Sequence, residues 1–103
     1  MIYCFDIDGT ICSNEIIDYT NSRSNNYVVH LINNLYDEGH TIKIFTARGA
    51  MSGIGWKEHT IKQLADWGVK YHELIMGKPH ADYFIDDKAI NILDFERHIK
   101  GQS

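Results

Sequence analysis

Asp6 and Asp8 stand two residues apart, in Asp6-Ile7-Asp8-Gly9-Thr10, where a short apolar run beginning at Ile2 gives out. Residues two apart in an extended chain face the same side, so both carboxylates can reach one small region. Two negative charges ~4 Å apart repel by roughly 4 kcal/mol at an effective dielectric of ~20. Holding them close calls for a cation, a proton or separation. A second pair, Asp86-Asp87, follows another apolar run, Ala81 to Ile85, and between the pairs lie Thr46-Ala47-Arg48-Gly49 and Gly77-Lys78-Pro79. Acids, a hydroxyl and an ammonium are the groups that move a phosphoryl group. A carboxylate is a competent nucleophile, and a hard divalent cation with oxygen ligands relieves charge between it and the phosphate. The lysine serves the phosphate as a point charge.

The elements that must position these residues alternate. Ile2 to Asp6 is apolar on both faces and reads as a central strand of a covered sheet. Gly9 to Asn26 is polar and loop-like. Val28, Leu31, Ile32 and Leu35 recur at helical spacing from Tyr27 to Glu38, and Gly39 is a left-handed stop. Thr41 to Phe45 reads as a second strand, Gly49 to Gly55 as a glycine-rich mobile loop, and Trp56 to Trp67 as a helix closed by Gly68. Glu73 to Met76 and Ala81 to Ile85 read as the third and fourth strands, and Ala89 to Ile99 as an amphipathic closing helix. Such alternation implies a parallel sheet with right-handed crossovers, which binds ligands beyond the carboxyl ends of its strands. Every expected strand end carries a residue of chemical interest.

Composition sets the bounds. The 103 residues make one domain over 1–103, and 44% hydrophobic content suffices for one core. A net charge of -4 argues against a nucleic-acid or anionic-lipid surface. The opening Met1-Ile2-Tyr3-Cys4-Phe5 lacks a basic region and meets Asp6 too early for a secretory signal. No apolar run approaches the ~18 residues of a membrane span. Two cysteines are too few for a disulfide scaffold, and Cys4 reads as a buried, reduced thiol. The expected location is the cytoplasm.

Asp6-Ile7-Asp8-Gly9-Thr10, the Ile44-Phe45-Thr46 strand end, Lys78 and Asp86-Asp87, in that order, resemble the four motifs of the haloacid dehalogenase superfamily. Thr46-Ala47-Arg48-Gly49, with the stretches from Trp67 to Leu74 and Asp87 to Ala89, is similar to its small capless members, which are associated with capsule or surface-polysaccharide biosynthesis. The resemblance implies a minimal Rossmann-like α/β fold of three layers, about four parallel strands in the order 3-2-1-4, helices on both faces and no cap domain. It also implies a magnesium-dependent phosphatase that hydrolyses a small phosphorylated metabolite, a sugar or related phosphate monoester, through an aspartyl-phosphate. Asp6 is then the nucleophile. Asp8 protonates the leaving group and activates water, and its backbone carbonyl binds the metal. Thr46 holds the phosphate and Lys78 balances charge. Asp6, Asp8 and Asp87 ligate Mg2+, with Asp86 close by. Ile7 and Gly9 offer backbone N–H groups to the phosphate, and Ala47 and Arg48 lie on the substrate side. Without a cap, a large substrate, the Gly49 to Gly55 loop or a second copy of the chain would cover the open site.

Plainer readings stand beside these. Asp-Gly is common in turns, Asp87 could cap the last helix, and Arg48 could pair with acids. Six histidines, His72 and His80 among them, match no zinc spacing. Trp56 and Trp67 suit packing better than a sugar platform. A receiver domain also clusters aspartates on a parallel sheet, but there the phosphorylated residue ends the third strand, which here closes on Met76-Gly77-Lys78. A non-catalytic phospholigand- or partner-binding relative and a phosphatase of polynucleotide ends are the remaining alternatives.

Overall fold

The computed structural model describes residues 1–12, 23–48 and 55–101. The element order is β1 (Ile2–Phe5), α1 (Asn26–Asp37), β2 (Thr41–Thr46), α2 (Trp56–Asp66), β3 (Glu73–Met76) and α3 (Ile92–Gly101). The three strands form a parallel sheet in the order β1-β2-β3. Tyr3 stands beside Ile42, Phe5 beside Ile44, and Thr46 beside Met76. The arrangement is a small α/β domain compatible with a Rossmann-like fold.

β2 occupies the middle because its pattern suits two partners. Ile42, Ile44 and Thr46 are fully buried on one face, while Thr41, Lys43 and Phe45 are half-buried on the other. Phe95 of α3 covers β1, meeting the rings of Phe5 and Tyr3 edge-on at 5.6 and 5.8 Å. α1 begins where the Asn25 side chain accepts the Val28 N–H, and it buries Val28, Val29, Ile32 and Leu35. Asn33 of α1 ties down the turn after α2, donating to the Gly68 carbonyl and accepting the Lys70 N–H. Val28, Val29, Ile32 and Leu35 join Ile7, Ile11, Ile42, Ile44 and Leu64 in one core.

Two expectations need correction. β1 is not a central strand: it lies at one end of the sheet, and among the described residues nothing pairs with its outer edge, while Ile2 and Cys4 are exposed on the face they share with Thr41 and Lys43. The expected fourth strand, Ala81 to Ile85, is irregular, with Tyr83 at 84% and Ile85 at 93% exposure. Local contacts explain this. Lys78 Nζ sits 4.3 Å from the centre of the Phe84 ring, so this stretch packs against the hook after β3 rather than along a strand. The Asp86 carboxylate then accepts the Lys88 N–H in a turn. The last helix starts at Ile92 rather than Ala89, because the Asn91 side chain accepts the Leu93 N–H and so supplies the cap. Asp87 does not cap it. Residues 49–54, most of the expected mobile loop, and 13–22 of the first polar segment lie outside the described residues.

Candidate functional site

The carboxyl ends of three parallel strands bring the first three motifs together. Beyond β1 the chain turns sharply: the Ile7 carbonyl accepts the N–H groups of Thr10, Ile11 and Cys12, and Gly9 donates to the Cys12 carbonyl. Gly9 has φ +84°, a conformation that side-chain-bearing residues adopt at a cost, so glycine after Asp8 lets the loop close. Ile7 and Ile11 are fully buried beneath it and anchor both acids to the core.

Beyond β3 the chain hooks back toward β2, the Thr46 carbonyl accepting from Gly77 at 3.1 Å and from Lys78 at 2.9 Å. That hook, with Gly77 at φ +95°, delivers the Lys78 ammonium to 3.4 Å from Asp6 Oδ2. Asp6 Oδ1 accepts the Ile7 N–H at 2.8 Å. One Asp6 oxygen is thus held by backbone while the other faces a cation and remains within reach of solvent. The Thr46 hydroxyl accepts the Arg48 N–H at 3.0 Å and keeps its own proton to donate.

Arg48 is more deeply placed than a substrate contact would be. Its side chain is fully buried, and its fork closes on Asp8, Nε–H to Oδ2 at 2.9 Å and Nη2–H to Oδ1 at 2.8 Å. This is the planar, bidentate geometry for which guanidinium suits carboxylate. Nη1 donates to Gln63 Oε1 and reaches Thr60 Oγ1 at 3.4 Å, both from α2. Cys12 Sγ lies 3.5 Å from Asp8 Oδ1.

Not every expected residue converges. The N–H groups of Ile7 and Gly9 are engaged by Asp6 and Cys12 inside the turn rather than aimed at a ligand, and Arg48 faces Asp8 rather than the substrate side. Ala47 is half-buried beside Thr46. Asp86 and Asp87 are exposed on the irregular stretch before α3. Among the described residues no three or more His, Cys, Asp or Glu side chains gather to hold a metal ion. His72 is structural, its Nδ1 accepting the Ile42 N–H and its ring stacked on Tyr36. Cys4 is exposed on the sheet face beside Lys43, not buried. Nearby protein still desolvates the thiol enough to push it above its ordinary value, against the pull of Lys78 and Lys43.

The Asp6 carboxylate is a hard oxygen donor, the kind a hard divalent cation takes. Magnesium typically takes one or two protein carboxylates and completes its shell with water and substrate phosphate. The accessible Asp6 carboxylate fits that pattern; the four-acid set does not form.

Sequence reasoning missed Thr60 and Gln63. The available signal was their position: polar residues three apart, with Leu64, on the one stripe of α2 that is buried.

No family model and no curated protein matches the chain. Solved structures do. A crystal structure of a Vibrio cholerae protein is 23% identical with a TM-score of 0.78, and the match covers 99% of this chain and 98% of that one. A chain of the Pnkp1/Rnl/Hen1 complex is 22% identical with a TM-score of 0.60 over 96% of this chain. A chain from a second structure of that assembly, described as an RNA repair complex, is 23% identical with a TM-score of 0.59. This chain spans 33% and 30% of those two longer chains. At such identities the likeness is one of fold. No helix among the described residues is long and apolar enough to cross a membrane.

Proposed function

We propose that the chain is a phosphatase of the haloacid dehalogenase type, acting on a phosphate monoester through an aspartyl-phosphate. The observation that carries this reading is the meeting of Asp6 and Lys78 beyond the carboxyl ends of β1 and β3, Lys78 Nζ lying 3.4 Å from Asp6 Oδ2 while the Thr46 backbone carbonyl holds the Lys78 N–H. In the proposed reaction Asp8 enters as the carboxylic acid: Asp6 Oδ2 forms a bond to phosphorus as the bond to the leaving oxygen breaks, and that oxygen takes the Asp8 proton, leaving the carboxylate paired with Arg48. Water then attacks phosphorus, gives a proton to Asp8 and releases Asp6. A carboxylate has about four acceptor positions, so Asp8 can exchange a proton while the Arg48 fork holds its orientation. Lys78 offsets the charge gathered on Asp6 and the phosphate, while the buried Thr46 hydroxyl accepts the Arg48 N–H behind them. Magnesium belongs to the proposal, held by the Asp6 carboxylate and the Asp8 backbone carbonyl. When bound it would neutralise phosphate charge.

The proposed substrate is a small sugar phosphate or related metabolite, as in the capless proteins of polysaccharide biosynthesis. The likeness to a chain of an RNA repair complex favours a second reading, a phosphorylated polynucleotide end, which an open site can admit. Release of inorganic phosphate from a panel of sugar phosphates and phosphorylated oligonucleotides, with magnesium, separates the two. Asp6→Asn is expected to abolish release while circular dichroism remains that of the wild type. Full activity in a folded Asp6→Asn sample would end this reading.

A further inference from the structure

We propose that α2 positions the acid–base carboxyl from behind: Gln63 and Thr60 hold the Arg48 guanidinium, and Arg48 in turn holds Asp8. Arg48 is 1% exposed, Thr60 0% and Gln63 9%. A guanidinium carries five N–H donors, and a buried donor left unanswered is costly. Nε and Nη2 meet Asp8, and Nη1 meets Gln63 Oε1 and Thr60 Oγ1.

The two α2 acceptors matter for direction as well as for satisfaction. A fork held at Asp8 alone can tilt about its last side-chain bonds. A fork also held at Nη1 has its plane fixed, and with it the plane of the Asp8 carboxyl. The buried face of a helix would ordinarily take leucine or alanine at such a position, and Leu64 beside Gln63 does this. The amide at 63 is accounted for by its bond to Arg48. Gln63 and Thr60 touch neither Asp6 nor Asp8 in this arrangement, so they act through Arg48 as positioning residues.

The inference rests on the phosphatase reading for its kinetic consequence, and the experiment separates the two. With p-nitrophenyl phosphate and magnesium, Gln63→Leu is expected to lower kcat by about 10-fold, a fraction of the roughly 100-fold that a ~1 Å misplacement can cost, while KM stays at its wild-type value. Gln63→Glu, which retains an Oε acceptor, should recover most of that loss. In parallel, 15N-detected spectra should show the Arg48 side-chain N–H groups exchanging with solvent about 10-fold faster in Gln63→Leu, a local opening. Wild-type kcat and unchanged Arg48 exchange in folded Gln63→Leu would overturn the positioning role. If the wild type releases no phosphate from any monoester, the phosphatase reading falls, and the exchange measurement alone decides whether α2 holds Arg48. Should Gln63→Leu fail to fold, Thr60→Val carries the same test, with a smaller loss of kcat expected and wild-type kcat and exchange overturning the role.

Discussion

Asp8→Ala should destabilise this protein by about 3 kcal/mol, and the reason lies in its partner. The Arg48 side chain is fully buried and the Asp8 side chain 16% exposed. Removing Asp8 leaves Nε–H and Nη2–H without their carboxylate at a place water barely reaches. Breaking a buried pair by deleting one member costs about 3–5 kcal/mol, and the exposed flank of Asp8 lets water replace part of the loss, which favours the lower figure. Against a total of about 5–15 kcal/mol for a domain of this kind, that is a large fraction. With a urea m-value of about 1–3 kcal/mol/M, the midpoint falls by about 1–3 M. Arg48→Met leaves a carboxylate that water can reach, so its cost should be smaller. The double variant Asp8→Ala/Arg48→Met should be less destabilised than the sum of the two by at least ~1 kcal/mol, because the stranded charge is gone. Urea titrations followed by far-ultraviolet circular dichroism measure all three. Asp8→Ala within ~0.5 kcal/mol of the wild type, or a coupling near zero, would refute the buried pair.

The Asp6–Lys78 pair behaves differently: the Asp6 side chain is 35% exposed, so Asp6→Asn should change stability by under ~1 kcal/mol, and lost turnover in that variant reports chemistry rather than unfolding. Phosphate release should stop in EDTA and return with magnesium; recovery with zinc alone would count against an oxygen-donor site. Phe95 is 7% exposed and edge-on to both Phe5 and Tyr3, so Phe95→Ala should cost about 3–5 kcal/mol, and an unaltered urea midpoint would show that α3 does not cover β1.

Periodicity and punctuation alone determined most of the elements. Glycines at 39 and 68 end α1 and α2 where expected, and β3 runs over the residues that its short apolar run marks out. That Asp6, Thr46 and Lys78 lie at the carboxyl ends of strands was legible because each stands at the close of an apolar run, Lys78 one glycine beyond it, and a parallel sheet gathers such ends at one edge. Tertiary structure decided the rest. Whether Ile2 to Phe5 is central or peripheral depends on what pairs with its outer side, and an apolar run carries no record of its neighbour. Ala81 to Ile85 has strand composition, but Phe84 meets Lys78 of the hook after β3. Asp86 and Asp87 are left exposed on this irregular stretch. Arg48 could equally have faced a substrate or an acid. Its fate was settled when β2 set it beneath Asp8 and α2 supplied Gln63 and Thr60, partners 15 and 12 residues away that no local spacing could announce. Local patterns are written by the chain's own geometry, whereas the partners of a buried charge are fixed only when separate elements pack together and exclude water.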